Sequence, residues 1–127
     1  MNGCLDSWAV LRWLEGVDPA AGRVEAALPE RPIMSWLNLG EVFYVVCRRS
    51  GEPAAREVLR TLRSKLALDL PDQERIIEAA TIKAHHAMAY ADAFAVATAN
   101  AHGVPLMTGD PEILDRGDPV WNTIDLR

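Results

Sequence analysis

A chain of 127 residues and 14.0 kDa is the size of one compact domain, and with half its residues hydrophobic and 24% charged it falls outside the disordered and fibrous classes. Thirteen Lys and Arg against eighteen Asp and Glu leave a net charge of −5, which argues against binding nucleic acid by bulk positive charge. No apolar run reaches the roughly 18 residues of a membrane span, and the N-terminus lacks a basic region followed by an apolar signal core, so a cytoplasmic protein with no membrane contact is the expectation.

In chain order, Gly3-Cys4-Leu5 reads as a short strand ending at Asp6. Trp8, Val10, Leu11, Trp13, Leu14 and Val17 then continue at helical spacing until Gly16 to Pro19. Pro19 to Leu28 predicts a second short helix, and Pro32-Ile33-Met34-Ser35 a second strand. Asn38 is the expected cap of a helix running to Arg49, with Leu39, Val42, Phe43 and Val46 at i, i+3, i+4 and i+7. Glu52-Pro53 opens the next helix, and the two are expected to form a hairpin. Leu66 to Leu70 alternates weakly, as a short strand does, before Asp72 caps a helix containing Ile76, Ile77, Ala80 and Ile82. After a break over His85 to Tyr90, the alanine-rich stretch Ala91 to His102 predicts a helix stopped by Gly103. Val104 to Met107 reads as a strand, Asp110-Pro111 as the start of a helical turn, and Thr123 to Leu126 as a terminal strand. Strands alternating with helices predict a three-layer α/β/α domain on a mainly parallel sheet, spanning residues 1–127.

The acids stand in segments almost free of charge. Asp6 is the only charged residue from Met1 to Leu11, and Glu41 the only one from Pro32 to Cys47; from Ala84 to Gly109 Asp92 is the only one apart from three histidines, and Asp110 ends that stretch. An ionised carboxylate among apolar residues is costly unless hydrogen bonds or a cation offset its desolvation. Each acid also lies at or near the start of a helix, and in an open parallel sheet such stations gather at the carboxyl edge of the strands. Convergence of the four on one pocket is therefore expected. Oxygen donors without a Cys or His cluster select hard cations such as Mg²⁺ or Mn²⁺. Each acid has a plainer reading too: Asp6, Asp92 and Asp110 as helix caps, and Glu41 as a buried carboxylate paired with Arg48 or another arginine.

Between Arg48 and Lys65, six basic residues face two acidic ones. Arg56, Arg60 and Arg63 share one face of their helix, opposite Val58, Leu59 and Leu62. This strip, with Arg48 and Arg49, reads either as a solvated face or as a phosphate-contacting surface for RNA. Cys4 and Cys47 suit buried free thiols, and the four tryptophans are core candidates, with Trp36 or Tyr44 as a partner anchor if exposed. His85 and His86 are adjacent and cannot chelate together as an i, i+4 pair does; His102 is expected to interact with its helix's C-terminal dipole.

Leu5-Asp6-Ser7, Asn38-Leu39-Gly40-Glu41-Val42, Tyr90-Ala91-Asp92-Ala93 and Thr108-Gly109-Asp110-Pro111-Glu112, in that order, resemble a PIN domain, and the chain's size and helix order resemble the VapC toxins of type II toxin–antitoxin systems. The resemblance implies a Rossmann-like α/β/α fold and an Mg²⁺- or Mn²⁺-dependent endoribonuclease that hydrolyses RNA phosphodiester bonds by metal-activated water. Carried over to this chain, it makes Asp6, Glu41, Asp92 and Asp110 the acidic quartet. Asp6, Asp92 and Asp110 become the metal ligands, Ser7 and Thr108 the supporting hydroxyls, and Glu112 a supporting carboxylate outside the ligand set. It further implies an antitoxin partner, contacting the hairpin of the two long middle helices, and a homodimer. Two other acidic-pocket enzymes fit poorly: a receiver domain needs a lysine absent near Met107 or Leu126, and a haloacid-dehalogenase-type phosphatase needs Asp-x-Asp where Asp6-Ser7-Trp8 stands. A PIN-like module that binds RNA or protein without catalysis is the alternative.

Overall fold

A computed structural model describes residues 2–115 and 121–127. Its five strands form one parallel sheet in the order β3-β2-β1-β4-β5. They are β1 (Cys4–Leu5), β2 (Ile33–Ser35), β3 (Ala67–Asp69), β4 (Leu106–Thr108) and β5 (Thr123–Asp125). Around them lie α1 (Ser7–Glu15), α2 (Ala20–Ala27), α3 (Trp36–Ser50), α4 (Glu52–Lys65), α5 (Gln73–His85), α6 (Tyr90–His102) and α7 (Pro111–Leu114). The expected α/β/α architecture on a parallel sheet is thus what the chain adopts, with an extra 3-10 turn at Leu28–Glu30.

Two-residue alternation sorts the central strands between the layers. Leu5 and Met107, paired in register, join a core with Val10, Val24, Leu39, Val42 and Leu62, from α1 to α4. Cys4 and Leu106, also paired, face Ala95, Val96 and Ala99 of α6 instead. Every residue of α6 from Asp92 to Ala99 is buried, and its alanines let the helix lie close to both sheet and α5. Gly16 (φ +68) and Gly103 (φ +63) end α1 and α6 in the left-handed region that a Cβ disfavours.

Several boundaries differ from the sequence expectations. The cap of α3 is Ser35, whose Oγ accepts the N–H of Leu37, and Asn38 lies one turn inside the helix, wholly buried. Strand β4 runs Leu106–Thr108 rather than starting at Val104, because the N–H of Val104 is held by the carbonyl of Ala99 in the turn after α6. His102 reaches away from its helix end to Asp69, Nε2 to Oδ2 at 2.6 Å, and Arg75 contacts the same carboxylate at 2.8 Å. The edge strand β3 is thereby tied to α5 and α6. Cys4 is a buried free thiol and Cys47 a half-buried one. Trp8, Trp13, Trp36 and Trp121 are half-buried and pack against the core clusters from their margins. No helix among the described residues is long and apolar enough to cross a membrane.

Candidate metal centre

Strand order reverses at β1: β2 and β3 lie on one side of it, β4 and β5 on the other. The crevice beyond the carboxyl ends of β1 and β4 is the place where an open parallel sheet forms a ligand site. Asp6 follows β1 there and caps α1, its Oδ1 accepting the N–H of Ala9 at 2.8 Å. Asp110 follows β4 and caps α7 through the N–H of Glu112 at 2.9 Å. Capping and ligation use different oxygens or lone pairs of a carboxylate, so the plainer reading of these two residues holds without displacing the other. Thr108 joins them. Its hydroxyl donates to Asp6 Oδ2 and accepts the N–H of Asp110 at 3.0 Å, so one wholly buried side chain sets the spacing between two acids 104 positions apart.

Asp92 enters from the first turn of α6, and α3 brings Glu41, whose Oε1 accepts the hydroxyl proton of Ser7. Glu41 is not paired with Arg48, whose guanidinium instead lies 5.3 Å from the ring centroid of Tyr44. Oxygens of Asp92, Asp110 and Glu112 all lie within 4.8 Å of one another. Glu112 also accepts the N–H of Ala89, just before α6, at 3.3 Å. Glu112, which the sequence reading sets outside the ligand set, thus belongs to a carboxylate group among the described residues that could hold an ion. Asp6 is 1% exposed and stands outside that group, its charge acting on Asp92.

The electrostatics report the same crowding. Burial pushes the Asp6 carboxyl up to about 7, against the pull of the Thr108 and Ala9 hydrogen bonds, and the charges of Asp110 and Glu41 add to the rise. Burial likewise raises Asp92 to about 8, with the charge of Asp110, a hydrogen bond to Glu112 and the charge of Asp6 all acting in the same direction. Carboxylates gathered in one crevice repel until protons or a cation neutralise them. The donors are all oxygen, the chemistry that hard divalent ions take.

The sequence profile of the PIN domain family matches residues 4–118. The chain belongs to the PIN domain family. No curated protein sequence matches it significantly, whereas solved structures do. A toxin–antitoxin complex from Klebsiella pneumoniae superposes with a TM-score of 0.80 at 18% identity, over 99% of this chain and 98% of the other. The DNA-bound VapBC of Salmonella typhimurium gives 0.79 at 17% identity, over 100% and 99%. VapC20 of Mycobacterium tuberculosis, described as a toxin that cleaves the sarcin-ricin loop, gives 0.76 at 19% identity, over 94% and 99%. At these identities the likeness is one of fold. This PIN domain thus shares the architecture of VapC-type toxins from end to end.

Proposed function

We propose that this PIN domain is a divalent-metal-dependent endoribonuclease, the toxin of a type II toxin–antitoxin pair. The observation that supports the reading is the carboxylate group of Asp92, Asp110 and Glu112 near the switch point of the sheet, with the charge of Asp6 acting on it and with Asp6 and Asp92 raised toward neutral pH by burial and mutual repulsion. Asp92 and Asp110, with Asp6 and Glu112 beside them, would hold Mg²⁺ or Mn²⁺. When bound, such an ion supplies Lewis-acid stabilisation of the charge that develops on a phosphodiester and lowers the pKa of water.

The remaining roles fall to the chain's own groups. Glu41, whose carboxylate accepts the Ser7 hydroxyl, would accept the proton of the attacking water. Thr108 holds Asp6 and the Asp110 backbone in register, so that neither carboxylate must reorganise when the substrate arrives. Arg48, Arg49, Arg56, Arg60 and Arg63, on the α3–α4 hairpin, would position the RNA backbone through its phosphates. The antitoxin reading rests on the likeness in fold to proteins solved as toxin–antitoxin complexes, and a homodimer belongs to the same proposal.

The test is cleavage of total RNA by purified protein with Mg²⁺ or Mn²⁺, with EDTA, and with Asp92→Asn and Glu41→Gln. Discrete products that vanish with EDTA and Asp92→Asn are expected, with Glu41→Gln slower by about 10²- to 10⁴-fold. Cleavage by Asp92→Asn at the wild-type rate overturns the assignment.

A further inference from the structure

Asn38 is 0% exposed, and it lies inside α3 rather than at its cap. Its Nδ2 donates at 2.9 Å to the carbonyl of Ala91, in the first turn of α6 and one residue before Asp92. Its Oδ1 is buried with no donor among the described residues. The amide orientation follows from chemistry: a carbonyl can only accept, so the nitrogen must face Ala91. A buried amide with one group unsatisfied is a net liability to folding, because the orphaned acceptor loses its water without a replacement. A residue of this kind in a helix of apolar neighbours calls for a use other than stability.

Its neighbours supply one. Glu41 lies three residues further along α3, on the adjoining turn, and Asp92 follows the residue that Asn38 holds. The first turn of α6 has no side-chain cap of its own, since Ala89 occupies that position. It is held from outside instead, by Asn38 of α3 at the Ala91 carbonyl and by Glu112 of α7 at the Ala89 N–H.

We infer that Asn38 is a positioning residue for the acidic centre: its bond to the Ala91 carbonyl clamps α6 to α3 and sets Asp92 in place beside Asp110 and Glu112, at the expense of folding stability. The inference rests on the reading of the centre as a metal site and names the group that holds its two helices in register. Without the clamp, the start of α6 loses one of its two outside holds and can shift along α3, which moves the Asp92 carboxylate relative to Asp110 and Glu112. Groups that orient ligands from outside the ligand set are worth about 10- to 100-fold in metal affinity.

The experiment is a pair of measurements, Mn²⁺ binding by calorimetry and thermal unfolding in EDTA, on wild type, Asn38→Leu and Leu39→Ala. Asn38→Leu keeps the four side-chain heavy atoms and the branching at Cγ and removes both the clamp and the orphaned oxygen. It is expected to unfold at the wild-type temperature or above and to bind Mn²⁺ about tenfold more weakly or worse. Leu39→Ala empties part of the core one residue away but leaves the clamp, and is expected to lower the unfolding temperature while keeping the wild-type affinity. Wild-type affinity in Asn38→Leu overturns the inference and leaves the metal-centre reading standing. Marked destabilisation or failure to fold in Asn38→Leu also overturns it, by making the residue a structural one. A wild-type chain that binds no Mn²⁺ removes the metal-centre reading and the inference together.

Discussion

A methyl group on Gly109 would fall 2.2 Å from Cη2 of Trp8 and 2.5 Å from two further ring atoms. The ring cannot easily retreat, because it packs against the core with the Arg12 guanidinium 4.7 Å from its centroid. Gly109→Ala is therefore expected to destabilise by about 1–3 kcal/mol, the usual range for overpacking. It should also weaken Mn²⁺ binding, since Thr108 and Asp110 sit on either side of the displaced backbone. Denaturant unfolding and a metal titration read the two effects, and wild-type values in both would show that the ring moves freely. Single residues were legible in the sequence to very different degrees. Asp6, Glu41 and Asp92 stand out because each is alone in an apolar segment, and Asp110 because it ends one; of these the structure gathers Asp92 and Asp110 into one carboxylate group with Glu112, while the charge of Asp6 acts on Asp92 and that of Glu41 on Asp6. Asn38 was misleading for a physical reason: Asn favours helix caps, so its position near a helix start suggests that role, while Ser35 three residues earlier performs it. Nothing in its local pattern announces a contact with Ala91, 53 positions away. Glu112 looked peripheral because its place among the acids depends on how α7 meets α6.

At the scale of elements, the α3–α4 hairpin is as expected, with the basic strip on its outer face. Arg56 pairs with Glu52 at 3.2 Å and Arg60 with Glu57, both on the exposed side of α4. Exposed pairs at this spacing contribute only about 0.3–0.5 kcal/mol each, so a phosphate competes with them readily. Arg56 and Arg63 also lie over the rings of Phe43 and Trp36, at 5.6 and 5.8 Å, which holds their guanidinium groups against α3. If the strip guides RNA, replacing Arg56, Arg60 and Arg63 by Ala in an Asp92→Asn background should weaken binding and reduce the slope of log K against log salt by about 2, at roughly 0.7 per phosphate contact on a single strand. An unchanged slope would assign these arginines to a solvated face. The helices were the readable part of the chain, since their apolar periodicity extends over several turns. The strands, two or three residues each, are too short to show alternation; β1 has Cys4 and Leu5 facing opposite cores. Their parallel arrangement was implied by the alternation of element types and by family resemblance, whereas their order comes from the structure alone.

For the whole molecule, the crowded carboxylates link folding, protons and metal. The folded values of about 7 for Asp6 and about 8 for Asp92 lie above the ordinary 3.8, so across that interval the native state holds more protons than the unfolded chain. Stability then falls as pH rises, by the linkage between bound protons and unfolding free energy. The metal-free protein is thus expected to be most stable at the acid end of the window and to lose several degrees of unfolding temperature between pH 5 and pH 8. Asp69 does not blur this. Its burial is outweighed by hydrogen bonds from His102 and Arg75 that hold its carboxyl below the ordinary value, so its contribution is lost only at lower pH. A divalent cation reverses the trend, because it binds the deprotonated carboxylates of the native state and stabilises by mass action. The rise in unfolding temperature on adding Mn²⁺ should accordingly be small at pH 5 and large at pH 8. Thermal scans at both pH values, in EDTA and in saturating Mn²⁺, provide the four numbers required. In Asp92→Asn the slope in EDTA should be shallower, since one of the two raised carboxyls is gone. A metal-free chain whose stability stays level or increases from pH 5 to pH 8 would mean that the carboxylates are not held close enough to repel, and the crevice would then lack the property that makes it a metal centre.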